Sequence, residues 1–196
     1  MSQASHYTTK LVSGGFFHLY GRSIGKEGML SSVRNRRYFL NRAKEHLSDV
    51  MNFYAYALLG NHYHFLVQVK PEIPENEEAV YLVHHKMQVF LQTYAMAYNK
   101  EKVRVGSLFQ KTFKRVRLET MEDILRIVQY IHGNPQHHGL VADFREYEWT
   151  SYPSILSDKP TMLKRAEVLE WYGGRENFIR CHEAHQVELD SRLTLE

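Results

Sequence analysis

Two sets of residues in this chain could do chemistry together: His62-Tyr63-His64, and Tyr130-Ile131-His132-Gly133-Asn134-Pro135. Residues i and i+2 of a strand point to the same face, so the two imidazoles would stand side by side on a sheet. Imidazole binds divalent metals, and a pair on one rigid surface needs only one or two further oxygens. A tyrosine phenol can attack phosphorus to give a covalent phosphotyrosine, which splits DNA transfer into two reversible steps and conserves the bond energy for rejoining. That chemistry needs a cation at the scissile phosphate, to polarise a non-bridging oxygen and orient the group for in-line attack. On a continuing helix Asn134 would share Tyr130's face about one turn along. His62, His64 and Asn134 would then form an N, N, O site suited to Mg²⁺ or Mn²⁺. Pro135 opposes this, because a residue before proline avoids helical geometry, and Asn134-Pro135 then reads as a helix stop.

Each feature also has a plain reading. With 12 histidines in 196 residues, about one chance H-x-H is expected, and His62 and His64 alone read equally well as half-buried strand residues. Tyr130, one of 13 tyrosines, reads first as a packing residue. His84-His85 and His137-His138 are adjacent pairs whose side chains diverge, which places them on the surface. His182 and His185 share a helical face without a visible third ligand.

The elements that must position these residues follow from periodicity. Gly15 to Arg22 alternates as a strand. Ser32 to Val50 reads as an amphipathic helix through Phe39, Leu40, Ala43 and Leu47. Asn52 to Leu59 and His62 to Val69 are strand-like runs broken by Gly60-Asn61, either a hairpin or one long bent strand. Lys70 to Glu78 is a loop, and Ala79 to Asn99 a helix. Ser107 to Leu118 reads as one basic strand. Thr120, with Asp123 three residues on, caps a helix packed through Ile124, Leu125, Ile127, Val128 and Ile131. Residues 139–158 are irregular, and Thr161 to His185 is amphipathic with a break at Gly173-Gly174. The order strand, helix, two strands, helix, strand, helix predicts an α+β, ferredoxin-like (RRM-like) sandwich: an antiparallel sheet with helices on one face.

Composition is that of an ordinary globular chain, 43% hydrophobic and 24% charged, with a formal net charge of +3. One cysteine excludes an internal disulfide and suits a reducing cytosol. No apolar run reaches membrane-spanning length and the polar start is no signal peptide, so a cytoplasmic protein without membrane attachment is expected. Basic residues gather at the first helix (Arg34, Arg36, Arg37, Arg42, Lys44) and before the tyrosine helix (Lys111, Lys114, Arg115, Arg117). Such clusters neutralise phosphates, although a charge run is most often a solvated face. Phe109, Phe113 and the tyrosines could stack unpaired bases.

Together, YALLGNHYHFLV (56–67), the helix ending near YNK (98–100), GSLFQKTFK (106–114), YIHGNPQHHGLV (130–141) and YEWTSYPS (147–154) resemble the single-tyrosine HUH transposases. These form the insertion-sequence-200-like group, and the likeness is greatest to the REP-associated tyrosine transposases. The resemblance implies an HUH endonuclease-type catalytic domain over 1–155 with a helical extension over 156–196. It implies His62 and His64 as metal ligands, Asn134 at the position of the third ligand, and Tyr130 as the nucleophile that forms a 5′-phosphotyrosine and releases a 3′-hydroxyl. The implied cofactor is Mg²⁺ or Mn²⁺ and the implied partner is single-stranded DNA with hairpins. Some members of that family form homodimers that exchange the tyrosine helix and others act as monomers, so the resemblance leaves both a homodimer and a monomer open. Two stretches depart from the family pattern: GGFFHLYGRS replaces the Gly-Thr-aromatic signature, and Gln136-His137-His138-Gly139 replaces Val-Arg/Lys-Ala-Gly. The rival readings are a domesticated DNA-hairpin-binding regulator without transposition, and a metal-dependent hydrolase in which Tyr130 is structural.

Overall fold

Four runs of extended sequence find one another because each carries a face that water cannot share. In the computed structural model, which describes residues 9–25, 28–110 and 113–184, they are β1 (Phe16–Arg22), β2 (Met51–Leu58), β3 (His62–Val69) and β4 (Lys114–Leu118). They pair antiparallel in the order β2-β3-β1-β4. Helices α1 (Val33–Leu47), α2 (Glu77–Glu101) and α3 (Met121–His137) connect or follow them. This is the expected ferredoxin-like arrangement.

The sheet is covered on both faces, whereas the sequence predicted helices on one. Phe17 and Leu19 of β1 and Tyr63, Phe65 and Val67 of β3 point to the first face and are fully buried. There Phe39 of α1 meets Tyr63, Phe65, Phe90 and Tyr94, at ring distances of 4.8–5.9 Å. The alternate residues, His18, Tyr20, His64 and Leu66, point to the second face and are also buried. Here α3 packs, chiefly on β2 and β3. Ala55 and Ala57 pair with Leu66 and His64; their small side chains let the helix approach the sheet closely. A strand buried on both sides reads as a continuous apolar run, so the sequence of β3 did not declare which helix lay on which face.

Gly60-Asn61 closes a hairpin between β2 and β3, one of the two arrangements the sequence left open, with the Leu59 N–H donating to the His62 carbonyl at 3.0 Å. The turn is held from outside: the Gly60 and Asn61 carbonyls accept from the Leu30 and Ser23 N–H groups at 2.9 and 2.8 Å. The predicted strand over 107–118 is divided. Phe109 pairs with Ser23, but Tyr20 pairs with Lys114; the register changes between them, and β4 begins only at Lys114.

Helix α3 starts at the predicted Thr120–Asp123 capping box. It does not stop at Asn134-Pro135 but runs to His137. Pro135 removes only one helical hydrogen bond here, and the end is set instead by Gly139 (φ +66°). Its N–H donates to the Gln136 carbonyl while that of Leu140 donates to Pro135, a Schellman closure.

The free edge of β2 is covered by the chain that follows. Leu58 and Ser151 N–H groups donate to the Trp149 and Tyr56 carbonyls, and Lys164 N–H to Phe53, so the edge is paired at these three points. Beyond a single 3₁₀ turn at Phe144–Glu146 lie α4 (Tyr152–Ile155), α5 (Arg165–Trp171) and α6 (Arg175–Ala184). Val168, Tyr172 and Phe178 from these helices join the same buried core as Ile127 and Ile131 of α3. Among the described residues no helix is long and apolar enough to cross a membrane.

Candidate active site

The site lies between the second face of the sheet and α3. His62 and His64 leave β3 on that face with ring centroids 5.3 Å apart. Beside them on β1, Tyr20 is the register partner of His64, and Arg22 of His62. His18, Tyr20 and His64 form a stack of nearly parallel rings 4.9–5.8 Å apart. Helix α3 then lays Tyr130 edge-on to both His64 (5.5 Å) and His18 (5.8 Å).

Tyr130, Asn134 and His138 recur every fourth residue and share one line on the helix. Tyr130 meets His64, and His138 meets His62 at 5.0 Å. Asn134, lying between them, is thereby directed at the histidine pair. Its side chain is fully buried, and neither Oδ1 nor Nδ2 has a hydrogen-bond partner among the described residues. An amide so placed carries an uncompensated desolvation cost, which a cation held through Oδ1 would offset.

The histidines are oriented by their other ring nitrogens. His62 Nδ1 lies 2.7 Å from Asn61 Oδ1, and His64 Nδ1 lies 2.9 Å from His18 Nε2. Nε2 is therefore the nitrogen that each ring would offer a metal. Among the described residues no three His, Cys, Asp or Glu side chains gather around one point. A metal here would take Asn134 Oδ1 as its third protein donor, and this N, N, O set fits a hard divalent cation that keeps open positions.

The basic residues divide between surfaces. Lys114 faces the site, its Nζ 5.6 Å from the Tyr20 ring. Arg115 and Arg117 alternate to the other face. Arg115 is buried, donates to the Thr9 carbonyl at 2.6 Å and lies over Phe113, and burial lowers its pKa. Arg117 pairs with Glu119 at 3.3 Å. On α1, Arg36 lies over Trp149 and donates to the Tyr147 hydroxyl at 3.2 Å, whereas Arg34 and Arg37 are exposed. Lys111 and His185 fall outside the described residues. Arg22 and His138, both exposed, mark the open end of the site beside His62.

Sequence reasoning passed over His18, Tyr20, Asn61 and Arg22. The alternation of FFHLYGR held the signal for three of them, since it sends His18, Tyr20 and Arg22 to one face. His138, read as surface, is exposed and yet touches His62.

Behind α3 lies a second group of histidines with no opening. His132 Nδ1 is 2.8 Å from His182 Nε2, His132 Nε2 is 2.7 Å from Ser151 Oγ, and His182 Nδ1 is 2.8 Å from the Phe178 carbonyl. The Tyr56 N–H donates to Ser151 Oγ at 2.9 Å. One consistent chain satisfies every atom: Tyr56 N–H to Ser151, Ser151 O–H to His132, His132 Nδ1–H to His182, and His182 Nδ1–H to Phe178. Both rings are neutral in it. Burial pushes His132 well below its usual range, helped by His182, and brings His182 down to about 4. His182 is thus a structural partner of α3.

No family model matches the chain. A protein of Haemophilus influenzae that bears the name REP-associated tyrosine transposase is 24% identical over 156 residues, 76% of this chain and 85% of that one. The solved structure of a REP-associated tyrosine transposase bound to a REP hairpin shares the fold, with a TM-score of 0.58 at 15% identity, covering 82% of this chain and 89% of that chain. Sequence along most of the chain and the fold thus agree in what they resemble, the REP-associated tyrosine transposases.

Proposed function

We propose that this protein is a metal-dependent, single-tyrosine HUH transposase of the insertion-sequence-200-like group. In this reading it nicks and rejoins hairpin-bearing single-stranded DNA in the cytoplasm through Tyr130. The observation that carries the reading is the placement of Asn134: a buried amide without partners, set between the tyrosine that meets His64 and the histidine that meets His62. His62, His64 and Asn134 would hold Mg²⁺ or Mn²⁺, which when bound supplies charge neutralisation and orientation at the scissile phosphate. Tyr130 Oη forms a bond to phosphorus as the P–O3′ bond breaks; its phenolic proton is lost, and the leaving oxygen gains one to become a 3′-hydroxyl. The 5′ phosphate stays on the tyrosine, and attack by a 3′-hydroxyl reverses the step. Lys114 and Arg22 add positive charge at the same end of the sheet, and the exposed Arg34 and Arg37 of α1 would add to the charge that a DNA strand meets.

The test is incubation of the protein with end-labelled hairpin oligonucleotides and Mn²⁺, resolved on a denaturing protein gel. A slower protein band carrying the 3′ fragment, absent with EDTA and with Tyr130→Phe, is the expected result. Tight hairpin binding without an adduct would instead indicate a regulator that no longer transposes, and cleavage without an adduct a hydrolase.

A further inference from the structure

We infer that His18 is a positioning residue for the metal ligand His64, a role that rests on the metal site proposed above. His18 belongs to β1, where it pairs with Leu66 while Tyr20 pairs with His64; it is therefore the diagonal neighbour of His64 on the site face. Both side chains are 1% exposed, and His18 Nε2 lies 2.9 Å from His64 Nδ1. Their rings stack at 5.2 Å, 18° from parallel.

A neutral imidazole that coordinates through Nε2 carries its proton on Nδ1. His64 Nδ1–H must then donate, and His18 Nε2 is the acceptor that receives it, which places the proton of His18 on Nδ1. With the hydrogen bond reversed, the His64 proton would sit on Nε2, the very edge that has to coordinate. One contact thus selects the tautomer of the ligand, fixes its ring rotation and raises the basicity of Nε2. His62 achieves the same by a simpler route, because Asn61 Oδ1, at 2.7 Å, can only accept. His64 has a partner that can either accept or donate, so its readiness to bind depends on a residue 46 positions away in the chain. His18 also meets the Tyr130 ring edge-on at 5.8 Å, linking the ligand to the nucleophile's helix.

The test is Mn²⁺ binding to the full chain without DNA, followed by the electron paramagnetic resonance signal of free Mn²⁺. Wild type is compared with His64→Ala, His18→Leu and His18→Gln, each checked for cooperative unfolding. His18→Leu should weaken Mn²⁺ about 10–100-fold, and His18→Gln, whose amide oxygen accepts, should recover most of that loss. Wild-type affinity in His18→Leu, alongside a loss in His64→Ala, would overturn the role of His18 and leave the metal site standing. A folded His18→Gln as weak as His18→Leu would overturn it too. Wild type binding no better than His64→Ala would refute both the role and the metal site. Should His18→Leu not fold, long-range ¹H–¹⁵N correlation on the Mg²⁺-loaded wild type reads the tautomer directly. A proton on His64 Nδ1 supports the inference and one on Nε2 overturns it.

Discussion

Replacing Asn134 by leucine should stabilise the metal-free protein while destroying its activity. Leucine has the branching of asparagine without its polar atoms, and the asparagine side chain is fully buried with both amide atoms lacking partners among the described residues. An unsatisfied buried polar group costs about 1–3 kcal/mol, which an apolar group of the same shape does not incur. A gain of about 2 kcal/mol corresponds to a melting temperature roughly 4–8 °C higher in a chain of this size. Thermal unfolding in EDTA reads this directly. With Mn²⁺ at about 100 times its dissociation constant, wild type should gain about 2.7 kcal/mol by mass action and Asn134→Leu almost none, so the order of the two melting curves should close up or reverse. A metal-free Asn134→Leu that melts below wild type would refute the reasoning, because the amide would then be making hydrogen bonds worth keeping.

Tyr130→Phe should abolish the covalent adduct on a denaturing gel while leaving hairpin affinity within about twofold by gel shift, since it removes one hydroxyl and no positive charge. His64→Ala should remove metal-dependent cleavage even at high Mn²⁺. Folding stability should fall in acid through His182. Its pKa drops from 6.5 to about 4 on folding, so below 6.5 the unfolded chain binds a proton that the folded chain does not. This contribution is therefore complete above about pH 6.5 and is lost progressively as pH falls toward 4, by about 2 kcal/mol between pH 7 and 5. His132 acts in the same direction. Urea unfolding at the two pH values, with His182→Gln as the comparison, checks it. Phe39→Ala should cost about 3–5 kcal/mol, because four aromatic rings close around that side chain.

The sheet and its helices were legible because their signals are local: alternation in β1, the Gly60-Asn61 turn, and the Thr120–Asp123 cap. The second helical layer was not, since burial on both sides erases the alternation that would reveal it in β3. The end of α3 misled because Pro135 is a strong local signal, overruled by Gly139 five residues past Asn134 with its left-handed backbone. In the candidate site, residue type and period were enough to place His62 and His64 on one strand face and Tyr130 and Asn134 on one helix line. The contact between His18 and His64 is a matter of register between strands 46 residues apart, which no local pattern encodes. Nor did residue type separate Lys114, which faces the site, from Arg115, which is turned inward; only the pleat of β4 does that.

The proposed nucleophile and third ligand, Tyr130 and Asn134, lie on one helix, four residues and about 6 Å of rise apart; the two histidines lie on one strand. The candidate site therefore consists of two stiff bodies, and its geometry reduces to how a single rod seats on a plate. Sliding or tilting α3 would displace the Tyr130 side chain and Asn134 in concert. If the proposed chemistry holds, its alignment would depend on that seating, to which the α6 contact through His132 contributes.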